Sequence, residues 1–146
     1  VRFWDSSGII PLCLKEPASG PLRSLAEADE DIVVWWGSRV ECVSSLSRRR
    51  REGALSADAE SKARAILSAM AAEWSEVQAA EGVRQRAERL LMVHPLRAAD
   101  ALQLAAALVW AAESPQGLEL VCLDLRLKEA AIREGFTVIP EGEAIV

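Results

Sequence analysis

The sequence predicts an α/β fold: one three-layer α/β/α domain with a central, mainly parallel sheet. Three observations predict it. Short apolar runs that read as strands alternate with longer Ala/Glu/Arg-rich helical segments. The run Asp31-Ile32-Val33-Val34-Trp35-Trp36 is apolar on both faces, as a parallel strand between two helical layers must be. The length of 146 residues suits one domain, here residues 1–146, long enough for a sizeable core and too short for a comfortable second domain.

The elements follow in order. Arg2 to Trp4 reads as a short strand and Ser7 to Leu14 as a helix, closed by the turn Glu16-Pro17-Ala18-Ser19-Gly20-Pro21. Leu22 to Ala28 is a short helix, and Asp31 to Trp36 the second strand. Gly37-Ser38 breaks it. Arg39 to Glu52 is helical and Gly53 stops it. From Ser56 to about Met92 the chain is helical, with an interruption near Trp74 to Val77. Pro95 punctuates, and Ala98 to Ala112 is the most apolar helix. After the turn Ser114-Pro115-Gln116-Gly117, Leu118 to Leu123 is a buried strand. Arg126 to Arg133 is a helix that Gly135 stops, and Phe136 to Ile139 is the last strand. There is no internal repeat, low-complexity tract or linker.

Composition narrows the chemistry. Half the residues are apolar (51%), which excludes a disordered chain. The apolar runs are too short for a membrane span, and Asp5 arrives too early for a signal-peptide core, so a soluble cytoplasmic protein is expected. The net charge of −5 argues against wholesale coating by nucleic acid while allowing a local basic patch. Cys13, Cys42 and Cys122 are widely spaced and odd in number, so they read as reduced core thiols rather than disulfides or a zinc site. With His94 as the single histidine, any metal must be held by oxygen.

Four acidic residues fall where strands give way to helices. Asp5 follows the first strand, Glu41 and Asp100 lie in first turns of helices, and Asp124 follows the strand ending near Leu123. Ligands of open parallel sheets collect at the carboxyl ends of strands, where helix N-termini also point. Carboxylates gathered there repel one another unless cations or retained protons neutralise them, and oxygen donors suit Mg²⁺ or Mn²⁺. Capping explains three of these acids equally well: Ser38 and Glu41 have capping-box spacing, and Asp5 and Asp124 can each cap the helix that follows. Asp100 is different. It and Gln103 are the polar residues of an otherwise apolar helix and share one face, so a buried carboxylate there needs a partner or a function.

The run Leu96-Arg97-Ala98-Ala99-Asp100-Ala101-Leu102-Gln103-Leu104-Ala105-Ala106-Ala107 resembles the third-acid helix of PIN domains. Leu123-Asp124-Leu125-Arg126-Leu127, Ala130-Ala131 and Glu134-Gly135-Phe136 resemble their C-terminal end. Asp5-Ser6-Ser7 and Ser38-Arg39-Val40-Glu41 complete the set, in order over nearly the whole chain. Within that family the chain is most similar to VapC, the toxin of type II toxin–antitoxin pairs. The resemblance implies a PIN-like fold and an Mg²⁺- or Mn²⁺-dependent ribonuclease. Asp5, Glu41, Asp100 and Asp124 then take the catalytic, metal-binding positions, and Ser7 supports the first acid by hydrogen bonding. It further implies an RNA substrate, a cognate antitoxin and a homodimer. Trp35-Trp36-Gly37 stands where the family has a small polar residue, a departure that can alter substrate fit. Residue 1 is Val, which an alternative start codon and trimming both explain.

Metal-assisted phosphodiester hydrolysis agrees with the residues, since carboxylate-held cations activate water and stabilise developing charge. No Ser-His-Asp or Cys-His arrangement, P-loop or GxGxxG competes. Two other classes remain: a catalytically inactive PIN-like protein-binding module, and a phospho-accepting receiver-type signalling domain. The receiver reading expects paired acids after the first strand and a late lysine, whereas Asp5 precedes two serines and Ile139 precedes Pro140.

Arg48, Arg49, Arg50 and Arg51 end the helix that carries Glu41, as a solvated cap of the helix dipole, an RNA-phosphate contact or a dock for an acidic antitoxin segment. Helix direction places them at the end opposite Glu41, against direct catalysis. Trp35 or Trp36 can stack on bases, but strand alternation puts at least one in the core. Arg97, one turn before Asp100, suits phosphate binding or charge compensation. Trp110 and Leu108 read as core or dimer surface, and His94 as a surface loop residue. Ile66, Leu67, Met70, Trp74 and Leu90 exceed one buried stripe; they serve either a dimer or antitoxin interface or the domain's own core.

Overall fold

The computed structural model describes residues 1–141; the last five of the domain expected over 1–146 lie outside the described residues. The elements are β1 (Arg2–Trp4), α1 (Ser6–Cys13), α2 (Ser19–Glu27), β2 (Ile32–Trp35), α3 (Ser38–Arg51), α4 (Ala57–Ala71), β3 (Ser75–Val77), α5 (Glu81–Val93), α6 (Ala98–Trp110), β4 (Glu119–Val121), α7 (Leu125–Glu134) and β5 (Thr137–Ile139). The strands form a five-stranded sheet in the order β3-β2-β1-β4-β5. Every pairing is parallel, with Phe3 opposite both Val33 and Leu120, Val34 opposite Glu76, and Leu120 opposite Val138.

Strand alternation builds two cores. Phe3, Val33, Trp35, Leu120 and Val138 point to one face, which α5, α6 and α7 cover. Trp4, Val34 and Val121 point to the other, under residues of α1, α2, α3 and α4. This is the expected three-layer α/β/α architecture. Glycines sit where the chain demands them. Gly53 and Gly135 end α3 and α7 with φ of 78° and 114°, conformations an L side chain resists. Gly8 lets α1 lie against the sheet: a Cβ there would stand 3.0 Å from Val121 Cγ1 and 3.3 Å from its carbonyl.

Four sequence expectations need correction. The interruption near Trp74 to Val77 is present but is more than a break between helices: it holds the edge strand β3, whose Ser75 is exposed and whose Glu76 and Val77 are half-buried, too short a run for an apolar signature. His94 is not a surface loop residue: its side chain is 3% exposed, with Nε2 2.6 Å from Glu134 Oε2. Arg86 joins the same carboxylate at 3.2 Å, tying α5 to α7. Of the supposed surplus apolar residues, Leu67, Trp74 and Leu90 are buried in this chain's own core and Met70 packs against it. Only Ile66 among them is classed with the exposed hydrophobics, which also include Leu91, Met92 and Val93 at the end of α5. The capping box is not formed either: α3 starts after Gly37 without a side-chain cap.

Other expectations hold. Trp35 is buried and Trp36 exposed, Leu108 is core, and Trp110 packs against it beside Phe3. All three cysteines are free and buried. Among the described residues no helix is long and apolar enough to cross a membrane.

Candidate active site

The order of the strands sets the site. The chain leaves β1 for β2 and β3 on one side, then returns to place β4 and β5 on the other, so a crevice opens at the carboxyl ends of β1 and β4. Asp5 follows β1 and Asp124 lies three residues beyond β4. Both cap helices. Asp5 accepts from Ser7 N at 3.1 Å and Asp124 from Leu127 N at 3.0 Å. Asp100, the third residue of α6, accepts from the backbone N–H of Arg97. Capping and assembly of an acidic crevice are therefore one geometric fact, since each cap lies where a helix N-terminus meets the sheet edge.

A cavity of about 640 Å³ brings Asp5, Glu41, Asp100 and Asp124 together. Ser7 also lines it. Its hydroxyl donates to Asp5 Oδ2 at 2.5 Å and accepts from Leu123 N at 2.9 Å. The helix begins with Ser38 behind an N-cap at Gly37, so the capping box is out of register, and Glu41 accepts from Gln103 Nε2 at 2.9 Å. A second cavity, about 660 Å³, shares Asp100 and Asp124 and is lined by Arg97 and Arg126.

Electrostatics record the crowding. Burial pushes the Asp5 carboxyl up to about 6; the Ser7 bonds oppose this, and Asp124 and Asp100 add to it. Burial likewise raises Glu41 to about 7, helped by Asp5 and Asp100 and opposed by hydrogen bonds from Gln103 and Ser6. Asp100 is raised by burial and by Asp124, against Arg97 and Arg126. Asp5 and Glu41 thus keep their protons to a higher pH than ordinary carboxyls, and a bound cation would displace them. Cys122, beneath Asp5 with Sγ 3.8 Å from Oδ2, is driven up by burial and is no thiolate nucleophile.

The arginines divide. Arg48 and Arg49 line the acidic cavity together with Ser44 and Ser45. Helix polarity alone had suggested separation from the acids, but α3 runs along the cavity wall, so both of its ends face it. Arg49 also bonds Ser45 and pairs with Glu16. Arg50, Arg51 and Trp36 do not line this cavity. Ser6, Ser44, Ser45 and Glu16 do, and sequence reasoning missed them because isolated polar residues carry no spacing signal. Among the described residues, no three His, Cys, Asp or Glu side chains are gathered closely enough to ring a single ion.

No protein-family model matches the chain, and no curated protein matches it. Among solved structures the chain is similar to one titled "Toxin-antitoxin complex from Klebsiella pneumoniae", with a TM-score of 0.63 and 18% identity. The match covers 98% of this chain and 99% of that one. At that identity the likeness is one of fold: the whole three-layer architecture, from β1 to the last strand, has a counterpart in a solved protein.

Proposed function

We propose that this protein is an Mg²⁺- or Mn²⁺-dependent ribonuclease of the PIN-like, VapC-resembling kind, the toxin of a type II toxin–antitoxin pair. The observation that carries the reading is the cavity shared by Asp5, Glu41, Asp100 and Asp124 at the carboxyl edge of the sheet. The likeness of fold to a chain from a toxin–antitoxin complex agrees with it.

The donor set fits a hard cation. All four side chains offer oxygen, and a divalent ion would relieve the burial and the neighbouring negative charge that raise the Asp5 and Glu41 carboxyls. Mg²⁺ keeps several waters and needs one or two carboxylates, so a closed three-acid cage is not required. When bound, the ion supplies an activated water and stabilises charge on the phosphoryl oxygens. The chain does the rest. Ser7 fixes Asp5, and Gln103 fixes Glu41. Arg48 and Arg49 on one side, with Arg97 and Arg126 on the other, offer guanidinium groups to phosphates flanking the cut. An acidic or amphipathic antitoxin segment covering the cavity would meet the same arginines. Homodimerisation would use exposed apolar residues such as Leu91, Met92 and Val93.

The experiment is cleavage of total RNA by the purified protein with Mg²⁺ or Mn²⁺, with and without EDTA, beside Asp100→Asn. Metal-dependent cleavage lost in the variant is the expected result. A folded wild-type protein that cuts no RNA with either metal would make this a protein-binding module instead. Expression in the native host without the neighbouring gene should be toxic; harmless expression of an active nuclease would refute the toxin role. Light scattering at micromolar concentration tests the dimer.

A further inference from the structure

Gln103 is the polar interruption in the most buried helix of the protein. Around it on α6, Ala101, Leu104, Ala105, Ala106, Ala107 and Leu108 are at most 1% exposed, and Gln103 itself is 1% exposed. Its Nε2 lies 2.8 Å from Ser38 Oγ and 2.9 Å from Glu41 Oε2, so both amide hydrogens have acceptors at the start of α3. Its Oε1 is buried with no hydrogen-bond partner among the described residues.

That orphan oxygen is informative. A buried polar atom without a partner costs stability, and Leu or Met would fill a similar volume in an apolar helix without that cost. Folding alone therefore does not favour Gln here. What the amide adds is a link between two helices 62 residues apart in sequence, one bearing Asp100 and the other Glu41. Ser38, fully buried, takes the second hydrogen, so the amide cannot swing from Glu41 without breaking both bonds.

We propose that Gln103 is a positioning residue for Glu41, a buried amide that fixes the carboxylate on the cavity wall relative to Asp100. It touches neither substrate nor metal and acts through Glu41. Its importance to the reaction rests on the ribonuclease reading above, whereas its hold on Glu41 does not. Groups behind a metal-binding carboxylate set its orientation, and losing one typically lowers metal affinity about 10–100-fold.

The test is Gln103→Met, read in three ways. Its melting temperature should equal or exceed that of wild type. Its crystal structure, without metal, should show the Glu41 carboxylate displaced or split between conformers. Mn²⁺ affinity, followed by electron paramagnetic resonance, should fall about 10–100-fold. In a Glu41→Ala background Gln103→Met should lower Mn²⁺ affinity no further, because residues acting in series are not additive. An unmoved Glu41, or additive losses, would overturn the proposal. Should Gln103→Met fail to fold, Ser38→Ala releases one end of the amide and is read the same way, with a smaller loss expected. A wild-type protein that binds no Mn²⁺ defeats the ribonuclease reading; the Glu41 conformation still decides the positioning role.

Discussion

The Ser7 hydroxyl bridges Asp5 Oδ2 at 2.5 Å and the backbone N–H of Leu123 at 2.9 Å. One side chain at the start of α1 thereby joins the ends of β1 and β4 and serves the most buried acid of the site. Ser7→Ala removes the acceptor from Leu123 and the donor from Asp5 together. It should lower stability by about 1–3 kcal/mol in urea unfolding. Wild-type stability in the variant would show that water replaces the hydroxyl at no cost.

Asp100→Asn keeps the shape of the side chain and removes its charge. If the acid helps hold a cation worth several kcal/mol to the transition state, RNA cleavage should drop by at least about 100-fold. Asp5→Asn should do the same. Circular dichroism spectra matching wild type would place the loss in the chemistry; undiminished cleavage by either variant would remove that acid from the mechanism.

Stability of the metal-free protein should fall as pH rises. Asp5 and Glu41, raised to about 6 and 7 from 3.8 and 4.5, keep protons in the folded state that the unfolded chain has already released. Between about pH 4 and 7 the unfolded state binds fewer protons, so unfolding grows easier as pH increases. For Asp5 alone the loss is on the order of 3 kcal/mol. Melting in EDTA should therefore occur at a lower temperature at pH 8 than at pH 5. Added Mg²⁺ should recover more at pH 8, where the carboxylates are ionised. A metal-free melting temperature that climbs from pH 5 to pH 8 would contradict the assignment.

Arg48 and Arg49 share the cavity with the acids. If they meet phosphates, replacing both with Ala weakens binding across RNA sequences and lowers the slope of log affinity against log salt by about 1–2. Filter binding in a Ca²⁺ buffer over a salt series measures it. An unchanged slope would assign these arginines to the Glu16 pair and the helix end.

Gly8→Ala tests how closely α1 is seated. The new methyl would meet Val121 Cγ1 at 3.0 Å and Val121 O at 3.3 Å, so Val121 or the helix must give by a few tenths of an ångström, and a loss of about 1 kcal/mol is expected. Because Asp5 caps this helix, cleavage should weaken as well. A fully stable variant would mean that the Val121 side chain gives way and that the seat of α1 tolerates a methyl.

Much of this arrangement was legible in the residues. The apolar alternation that sorts Phe3 from Trp4 and Val33 from Val34 is a local property, and so are the acids at strand ends. β3 was not legible, because an edge strand of Ser75-Glu76-Val77 buries too little to need an apolar pattern. His94 was misread because its partner Glu134 lies 40 residues away and no spacing rule links them. Glu41 fits a local capping pattern in sequence, but α3 begins one residue earlier than that pattern needs, and its partner Gln103 lies 62 residues away, beyond any spacing rule. Arg48 and Arg49 reach the cavity because α3 lies along its wall, a matter of tertiary direction that linear order conceals.

The sheet order also fixes when the site can exist. β1 is central, yet one of its two partners, β4, begins 117 residues after β1, and Asp5 N donates to Val121 O at 2.9 Å. During synthesis the first acid emerges early and waits beside an unfilled edge. The crevice closes only when β4 and Asp124 have been made and have threaded in next to it, a pairing of high sequence separation that is slow to form. A chain that stops short of β4 therefore carries no assembled acidic crevice. On the toxin function proposed above, a neutralising partner need not be in place until β4 and Asp124 have been made.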